Sequence, residues 1–160
     1  MKRYFTILIL CCLVTASACG VMGDRRSAKH LVTRADAEKI MGAPMIFDGE
    51  KLDVGQTNCY YRDADGGSSL RLQVTVQEYE SDEQTKDAHE MMREMNRHYA
   101  KVQPVEGVGD AAWIEDREFS QAIHVRRKNV HFLIAADGGG RSEKRLGEIR
   151  RVARSVAERL

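Results

Sequence analysis

The feature that most constrains the fold is a strict alternation of apolar and polar residues over positions 70–77, which read Leu-Arg-Leu-Gln-Val-Thr-Val-Gln. Successive side chains of a β-strand point to opposite faces, so this alternation predicts a strand with one buried and one solvated face. A strand of this kind belongs to a sheet that packs its apolar side against other elements. We therefore expect helices on one side of this strand and water on the other.

Three segments have apolar residues at helical spacing, and each begins with a residue suited to helix capping. Thr33, Ser81 and Ser142 are the predicted N-caps, and Asp36 suits the first turn of the first helix. The second helix is predicted to run almost to Pro104 and to bury a core stripe rather than form a pliable methionine groove. That stripe comprises Ala88, Met91 or Met92, Met95, Tyr99 and Val102.

Further strands are predicted over residues 58–62, around Trp113, and over residues 119–126 and 130–136. The last two segments form a hairpin if their apolar residues share one face, which leaves the two residues Lys128 and Asn129 as its turn. These elements predict an α+β fold: a two-layer sandwich in which a mainly antiparallel sheet of about five strands carries three helices packed on one face.

The N-terminal 18 residues have the composition of a secretory signal peptide. Lys2 and Arg3 precede an apolar run over residues 4–14, and small residues follow. The run is too short to cross a bilayer, which takes roughly 20 apolar residues. The sequence Ala16-Ser17-Ala18 fits ordinary signal cleavage, and with Cys19 it also fits a lipobox.

At this point the chain resembles bacterial lipoproteins, whose new N-terminal cysteine carries the lipid. The resemblance implies lipidation of Cys19, a membrane anchor and a place in the cell envelope, on the outer membrane if the host has one, because Gly20 follows the cysteine. The mature chain also resembles small uncharacterised lipoproteins built on a domain of unknown function. That likeness lies in residues 33–37 with Gly42, in 59–62 and in 105–113, and it implies a helix-and-sheet domain without established chemistry.

The predicted organisation is a signal peptide at residues 1–18, the lipidated cysteine and a tether at 19–30, and a single α+β domain at 31–160. The signal peptide carries two of the 25 basic residues and none of the 24 acidic ones, so the mature 142 residues have a net charge of −1. This balance argues against a dedicated nucleic-acid binder, which usually has a strongly basic face. Cys59 is then the one thiol left, unless Cys19 escapes lipidation and forms a disulfide with it.

The predicted hairpin register places His124, Arg126 and His131 on one polar face, with Arg126 opposite His131. Arg71 extends this face on the alternating strand. Two histidines can hold a metal, but no third ligand is identifiable and the arginine between them disfavours a cation. We therefore expect a solvated sheet face, a candidate surface for an anionic ligand or an envelope protein, and no metal or cofactor.

Two glycine motifs have ordinary structural explanations. The sequence Gly107-Val108-Gly109 lacks the third glycine of a dinucleotide fingerprint, so it predicts a turn into the Trp113 strand. Residues 138–140 are three glycines before a helix, which predict a flexible link rather than an anion-binding loop.

The expected function is a non-enzymatic binding or structural role in the envelope. The first alternative is a secreted or periplasmic enzyme of the hydrolase type that uses Cys59 or the pair His124 and His131. The second is a secreted structural domain bridged through Cys19 and Cys59.

Overall fold

The computed structural model describes residues 27–67 and 69–160. Residues 1–26 lie outside this part. They include the predicted signal peptide, the predicted lipidation site Cys19 and most of the predicted tether, so the anchor and the envelope location stay predictions. Among the described residues, no helix is both long enough and apolar enough to cross a membrane.

Within the described ranges, seven strands form one sheet in the order β1-β2-β3-β7-β6-β5-β4, and every neighbouring pair is antiparallel. The α+β class and the antiparallel sheet are confirmed, but the expected number of five strands is wrong. The strands are β1 (Met45–Asp53), β2 (Gln56–Asp63), β3 (Arg71–Glu78), β4 (Lys101–Val105), β5 (Ala111–Asp116), β6 (Ser120–Arg127) and β7 (Val130–Asp137).

The two additional strands, β1 and β4, are the outermost strands of the sheet. Most of their residues are exposed or half-buried, so they lack the apolar alternation by which an inner strand is recognised. Pro104 lies in β4, where an edge strand tolerates a residue that has no backbone N–H. The second helix therefore ends earlier than predicted, and Val102 belongs to a strand.

Three α-helices are present in the described part: α1 (Arg34–Met41), α2 (Asp82–Asn96) and α3 (Glu143–Arg159). The predicted caps are confirmed. The Thr33 hydroxyl accepts from the Asp36 backbone N–H while the Asp36 carboxylate accepts from the Thr33 N–H, and Ser81 and Ser142 also cap with their hydroxyls. Capping is a contact between near neighbours in the chain, so the sequence predicts it well.

The helices lie on both faces of the sheet, so the prediction that all three pack on one face is wrong. The core face of the sheet carries Phe132 and Ile134, and the main hydrophobic core lies there with α1 and α3. The α2 face carries His124 and His131, and α2 packs there against β6 and β7. The alternation in β3 correctly describes β3, but β5, β6 and β7 also place apolar side chains on the α2 face: Trp113, Ala122, Leu133 and Ala135. This apolar surface is what α2 covers.

The packed domain begins before the predicted end of the tether at residue 30. Residues Ala28–His30 form a short 3-10 turn in which Ala28 is buried. The Ser27 hydroxyl donates to Glu50 Oε1 at 2.6 Å, and the Arg159 guanidinium donates to the Leu31 carbonyl at 2.6 Å. The chain is thus held against β1 and α3 from Ser27 onward.

The β6–β7 hairpin has the predicted register, with Val125 opposite Phe132 and a turn at Lys128 and Asn129. Within this turn Lys128 adopts a positive φ of 50°. The Lys128 backbone N–H donates to Asp110 Oδ2 at 2.6 Å, which ties the turn to the loop before β5.

The two glycine segments have different outcomes. The 107–109 segment lies in the turn between β4 and β5, as predicted. A Cβ on Gly109 would lie 2.5 Å from the Arg126 carbonyl oxygen, so this close approach of backbones requires glycine. Residues 138–140 are bound by α3, since buried Arg145 donates to the carbonyls of Gly138 at 2.7 Å and Gly140 at 3.0 Å, and their expected flexibility stays a prediction.

Candidate functional site

The predicted face is assembled as expected, but its two histidines are covered. His124, Arg126 and His131 share one side of the β6–β7 hairpin, and Arg126 lies directly opposite His131. His124 is 6 % exposed and His131 is 4 % exposed. The expectation of a solvated face is therefore wrong for the histidines, because α2 lies over them.

A third histidine, His89 of α2, completes a buried cluster with His124, His131 and Trp113, which we call the histidine cluster. The imidazole of His124 stacks on the indole of Trp113, with ring centroids 3.7 Å apart and planes inclined by 10°. The ring of His131 lies 5.5 Å from that of His89 and 5.6 Å from that of His124. The cluster is thus the contact by which α2 packs on the sheet.

Burial keeps the imidazoles of the cluster neutral at pH 7. Loss of water lowers the pKa of His89 to about 4, and the charges of Arg126 and Arg93, together with repulsion from His124 when that ring is protonated, act in the same direction. Loss of water also lowers the pKa of His131 to about 3, with smaller contributions from His124 and His89. Within the described part, one nitrogen of each of the three rings and the indole Nε1 have no hydrogen-bond partner.

Glu115 of β5 is the acidic group next to the cluster. The Nε2 atom of His124 donates to Glu115 Oε2 at 3.3 Å, and Arg117 forms an ion pair with the same carboxylate. Burial would raise the pKa of Glu115, but the hydrogen bond from His124 and the charge of Arg117 outweigh it, so the carboxyl pKa is lowered. The pKa of His124 is itself lowered, because burial outweighs its bond to Glu115.

The described residues contain no group of three metal-ligating side chains placed to hold a metal ion. His89 was missed in the sequence, where no ligand spacing relates it to the other two histidines. The spacing of Thr85, His89, Met92 and Asn96 was nevertheless a signal, because residues three or four apart share one side of a helix. In the structure these four residues are buried or half-buried.

Arg71 lies on the α2 face but far from the histidine cluster. It pairs with Asp137 in the β3–β7 register, whereas His131 pairs with Gln77 six residues further along. Six residues of strand span about 20 Å. The predicted set of Arg71, His124, Arg126 and His131 therefore shares one face without forming one site.

Arg71 lines a cleft at the end of the sheet, which we call the arginine cleft. The cleft has a volume of about 410 Å³ and is lined by Arg62, Asp63, Gly66, Ser69, Leu70, Arg71 and Asp137. Arg62 lies directly opposite Arg71 across β2 and β3, and its Nε atom is 3.1 Å from Asp48 Oδ1. Among the described residues, the exposed guanidinium of Arg71 has no hydrogen bond or ion pair.

Cys59 lies in β2 on the core face, away from the histidines. It is fully buried, and loss of water raises its thiol pKa to about 11, although the neighbouring hydroxyl of Tyr61 opposes the rise. At neutral pH this side chain is an inert thiol rather than a thiolate. Its proposed disulfide partner, Cys19, lies outside the described residues.

A comparison with protein-family models finds no match to this chain, and a comparison with curated proteins finds no similar sequence. The resemblance to bacterial lipoproteins therefore remains a prediction from residues 1–20 and from the short segments named above.

Proposed function

We propose that this protein is an envelope-anchored, non-enzymatic binding protein that holds an anionic group of its ligand in the arginine cleft. The supporting observation is the unpaired guanidinium of Arg71, which lies directly opposite a second arginine at the wall of an open cleft. The anchor is the lipid predicted on Cys19.

The arrangement of charges favours this use of the cleft. Like charges directly opposite one another on adjacent strands destabilise a sheet, and an anion between them relieves the repulsion. Arg62 already has a partner in Asp48, whereas Arg71 presents a free planar fork that matches a carboxylate or a phosphate.

Acidic residues in the cleft narrow the class of ligand. Asp137 lies opposite Arg71 on β7, and Asp63 lies at the end of β2. A small ion of high negative charge would be repelled by these carboxylates. A ligand with one anionic group and neighbouring hydroxyl or amine donors satisfies both the arginine and the acids, so we favour acidic sugars or similar polar molecules.

The side chains that would serve a hydrolase, Cys59, His124 and His131, lie in surroundings unsuited to catalysis. Cys59 is buried on the core face with a raised pKa, and the two histidines lie under α2. A nucleophile must be reachable by substrate and activated by a nearby base. These placements support binding over hydrolysis.

The cleft is tested by NMR titration of the protein with glucuronate, glucose 6-phosphate and neutral glucose. We expect the two anions, but not glucose, to shift the amide signals around Arg71. The substitution Arg71→Gln should weaken binding by about tenfold or more, because a charge-assisted hydrogen bond contributes about 1.5–3 kcal/mol.

The matched control is Arg151→Gln, which removes the same charge from an exposed arginine paired with Glu148 on α3. This variant should bind both anions like the wild type. Equal anion shifts in wild type and Arg71→Gln, or no shift with either anion, would overturn the assignment of the cleft.

The anchor is tested separately by the intact mass of the mature protein from its native host. We expect a mass above that of residues 19–160 by several acyl groups. An unmodified mass, or one lighter by two hydrogens, would contradict the anchor and leave a soluble or disulfide-bridged protein.

A further inference from the structure

The turn between β1 and β2 carries two aliphatic side chains that are largely exposed. Asp53 pairs with Gln56, so Val54 and Gly55 form a two-residue turn. Val54 is 95 % exposed and Leu52 is 61 % exposed. Gly55 supplies the positive φ of this turn, at 75°, so the backbone geometry does not require an apolar residue at position 54. We call Leu52 and Val54 the hairpin tip.

The N-terminal end of the described chain lies beside the hairpin tip. The Ser27 hydroxyl and the Lys29 backbone N–H both donate to Glu50 Oε1, at 2.6 and 3.4 Å. Glu50 and Leu52 point to the same face of β1 because they are two residues apart. They are separated by about 7 Å along the strand. The segment that leads to Cys19 therefore leaves the domain next to the tip.

The segment outside the structure is short enough to hold the tip near a membrane. Seven residues lie between Cys19 and Ser27, so eight Cα–Cα steps connect the two. A chain of that length spans at most about 29 Å when fully extended. Val54 is only four residues beyond Glu50, or about 13 Å along the strand.

We propose that the hairpin tip inserts into the surface of the bilayer that holds Cys19, with Val54 and Leu52 in the interfacial layer. This inference rests on the anchor of the proposed function. The neighbouring charges of Lys29 and Lys51 are offset by Glu50 and Asp53, so apolar burial rather than attraction to anionic lipid drives the contact. High salt should leave it intact.

Insertion of the tip would also orient the binding site. The arginine cleft lies at the other end of β2, because Gln56 follows the turn and Arg62 lies six residues further along, or about 20 Å. With the tip in the lipid, the arginine cleft opens away from the membrane toward the ligand.

The experiment places an environment-sensitive fluorophore on Val54→Cys in the full lipidated protein bound to vesicles of phosphatidylethanolamine and phosphatidylglycerol. Buried Cys59 stays unlabelled because its pKa is about 11. The control is Glu118→Cys, an exposed site at the cleft end of the sheet. Flotation with the vesicles reports the anchor independently of the fluorophore.

We expect the emission of the label at Val54 to shift to the blue on binding to vesicles, and lipid-borne quenchers to reach it, in low and high salt alike. The label at Glu118 should remain in water. Floating protein whose Val54 label stays accessible to iodide overturns the insertion while the anchor stands. A blue shift already present without vesicles means that the tip contacts a second protein copy and also overturns it. A protein without acyl chains that fails to float overturns the anchor and the insertion together, while the NMR titration of the arginine cleft still decides the binding proposal.

Discussion

At the scale of single residues, the three buried histidines are the least expected feature of this protein. Each imidazole leaves a nitrogen without a partner in the described part of the chain, and burial of an unsatisfied polar group costs free energy. The stacking of His124 on Trp113 and the ring contacts with His89 and His131 offset part of that cost. The cluster is tolerable only while its rings are uncharged.

We therefore predict that acid weakens folding before the carboxylates begin to titrate. Unfolded histidine has a pKa near 6.5, whereas folded His89 and His131 have pKa values of about 4 and about 3. Below pH 6.5 the unfolded chain takes up protons that the folded protein does not. The free energy of unfolding should be highest above pH 6.5 and fall by up to about 1.4 kcal/mol per pH unit for each histidine.

Urea denaturation at pH 7, 6 and 5 measures this slope above the range where carboxylates respond. His89→Gln and His131→Gln should each remove part of it, because His124, whose pKa is also lowered, contributes as well. The control His98→Gln changes an exposed histidine and should leave the slope unchanged. A free energy of unfolding that stays constant between pH 7 and 5 would contradict the neutral cluster.

Arginines of α3 act at the same scale by binding backbone carbonyls of distant loops. Arg145 binds Gly138 and Gly140, Arg154 binds Gly107 at 3.0 Å, and Arg159 binds Leu31. The carbonyl at a tight turn has no partner in its own segment, so a guanidinium from a neighbouring helix satisfies it. This explains why a segment of three glycines can be well packed.

At the scale of elements, α2 differs from the sequence prediction in which face it buries. Met91 and Met95, assigned to a core stripe, are 59 % and 52 % exposed. The buried residues of this helix are Thr85 and His89. The methionine spacing is helical. The side of α2 that carries Thr85 and His89 nevertheless faces the sheet, because Trp113 and the two histidines lie on the sheet surface beneath it.

Removal of these methionine side chains should therefore have little effect on stability. We expect Met91→Ala and Met95→Ala each to change the free energy of unfolding by less than about 0.5 kcal/mol, as is usual for surface positions. Met45→Ala, at a fully buried methionine, should cost about 2–5 kcal/mol. Urea denaturation compares the three variants, and a large loss for Met91→Ala would restore the core interpretation.

At the scale of the whole molecule, the two faces of the sheet are unequal. The hydrophobic core consists of residues from the sheet, α1, α3, the chain before α1 and Val108 of the β4–β5 turn, and it includes no residue of α2. Helix α2 contacts the sheet through the histidine cluster, and near its end Asn96 Oδ1 accepts from the Arg117 guanidinium at 3.1 Å. We therefore regard α2 as a separate, weaker unit of folding.

Hydrogen exchange tests this division of the fold. Amides of α2 should exchange through local opening, at rates well above those of α3, which exchange only when the core unfolds. The difference should grow between pH 7 and 5, once rates are corrected for the intrinsic effect of pH, because protonation of the cluster favours release of α2. Equal protection of α2 and α3 under both conditions would show that the molecule opens as one unit.

Some features of the candidate sites were predictable from the sequence, and others were not. The register of the β6–β7 hairpin was predictable because a two-residue turn and one apolar face allow a single alignment. The side of the sheet on which Arg71 lies was predictable from alternation alone. The arginine cleft was not, since it depends on β2 and β3 pairing so that Arg62 meets Arg71. His89 was also unpredictable, because its partners lie 35 and 42 residues away in the chain.

By itself the sequence determined the features that depend on near neighbours: the helix caps at Thr33, Ser81 and Ser142, the alternating strand β3 and the β6–β7 turn. Only the tertiary structure decided which face α2 covers, that β1 and β4 complete the sheet, and where the arginines meet. The physical reason is that a helix or an edge strand is placed by the surface available to it. That surface is built from residues far apart in the chain, so no local sequence pattern shows how much apolar area they expose together.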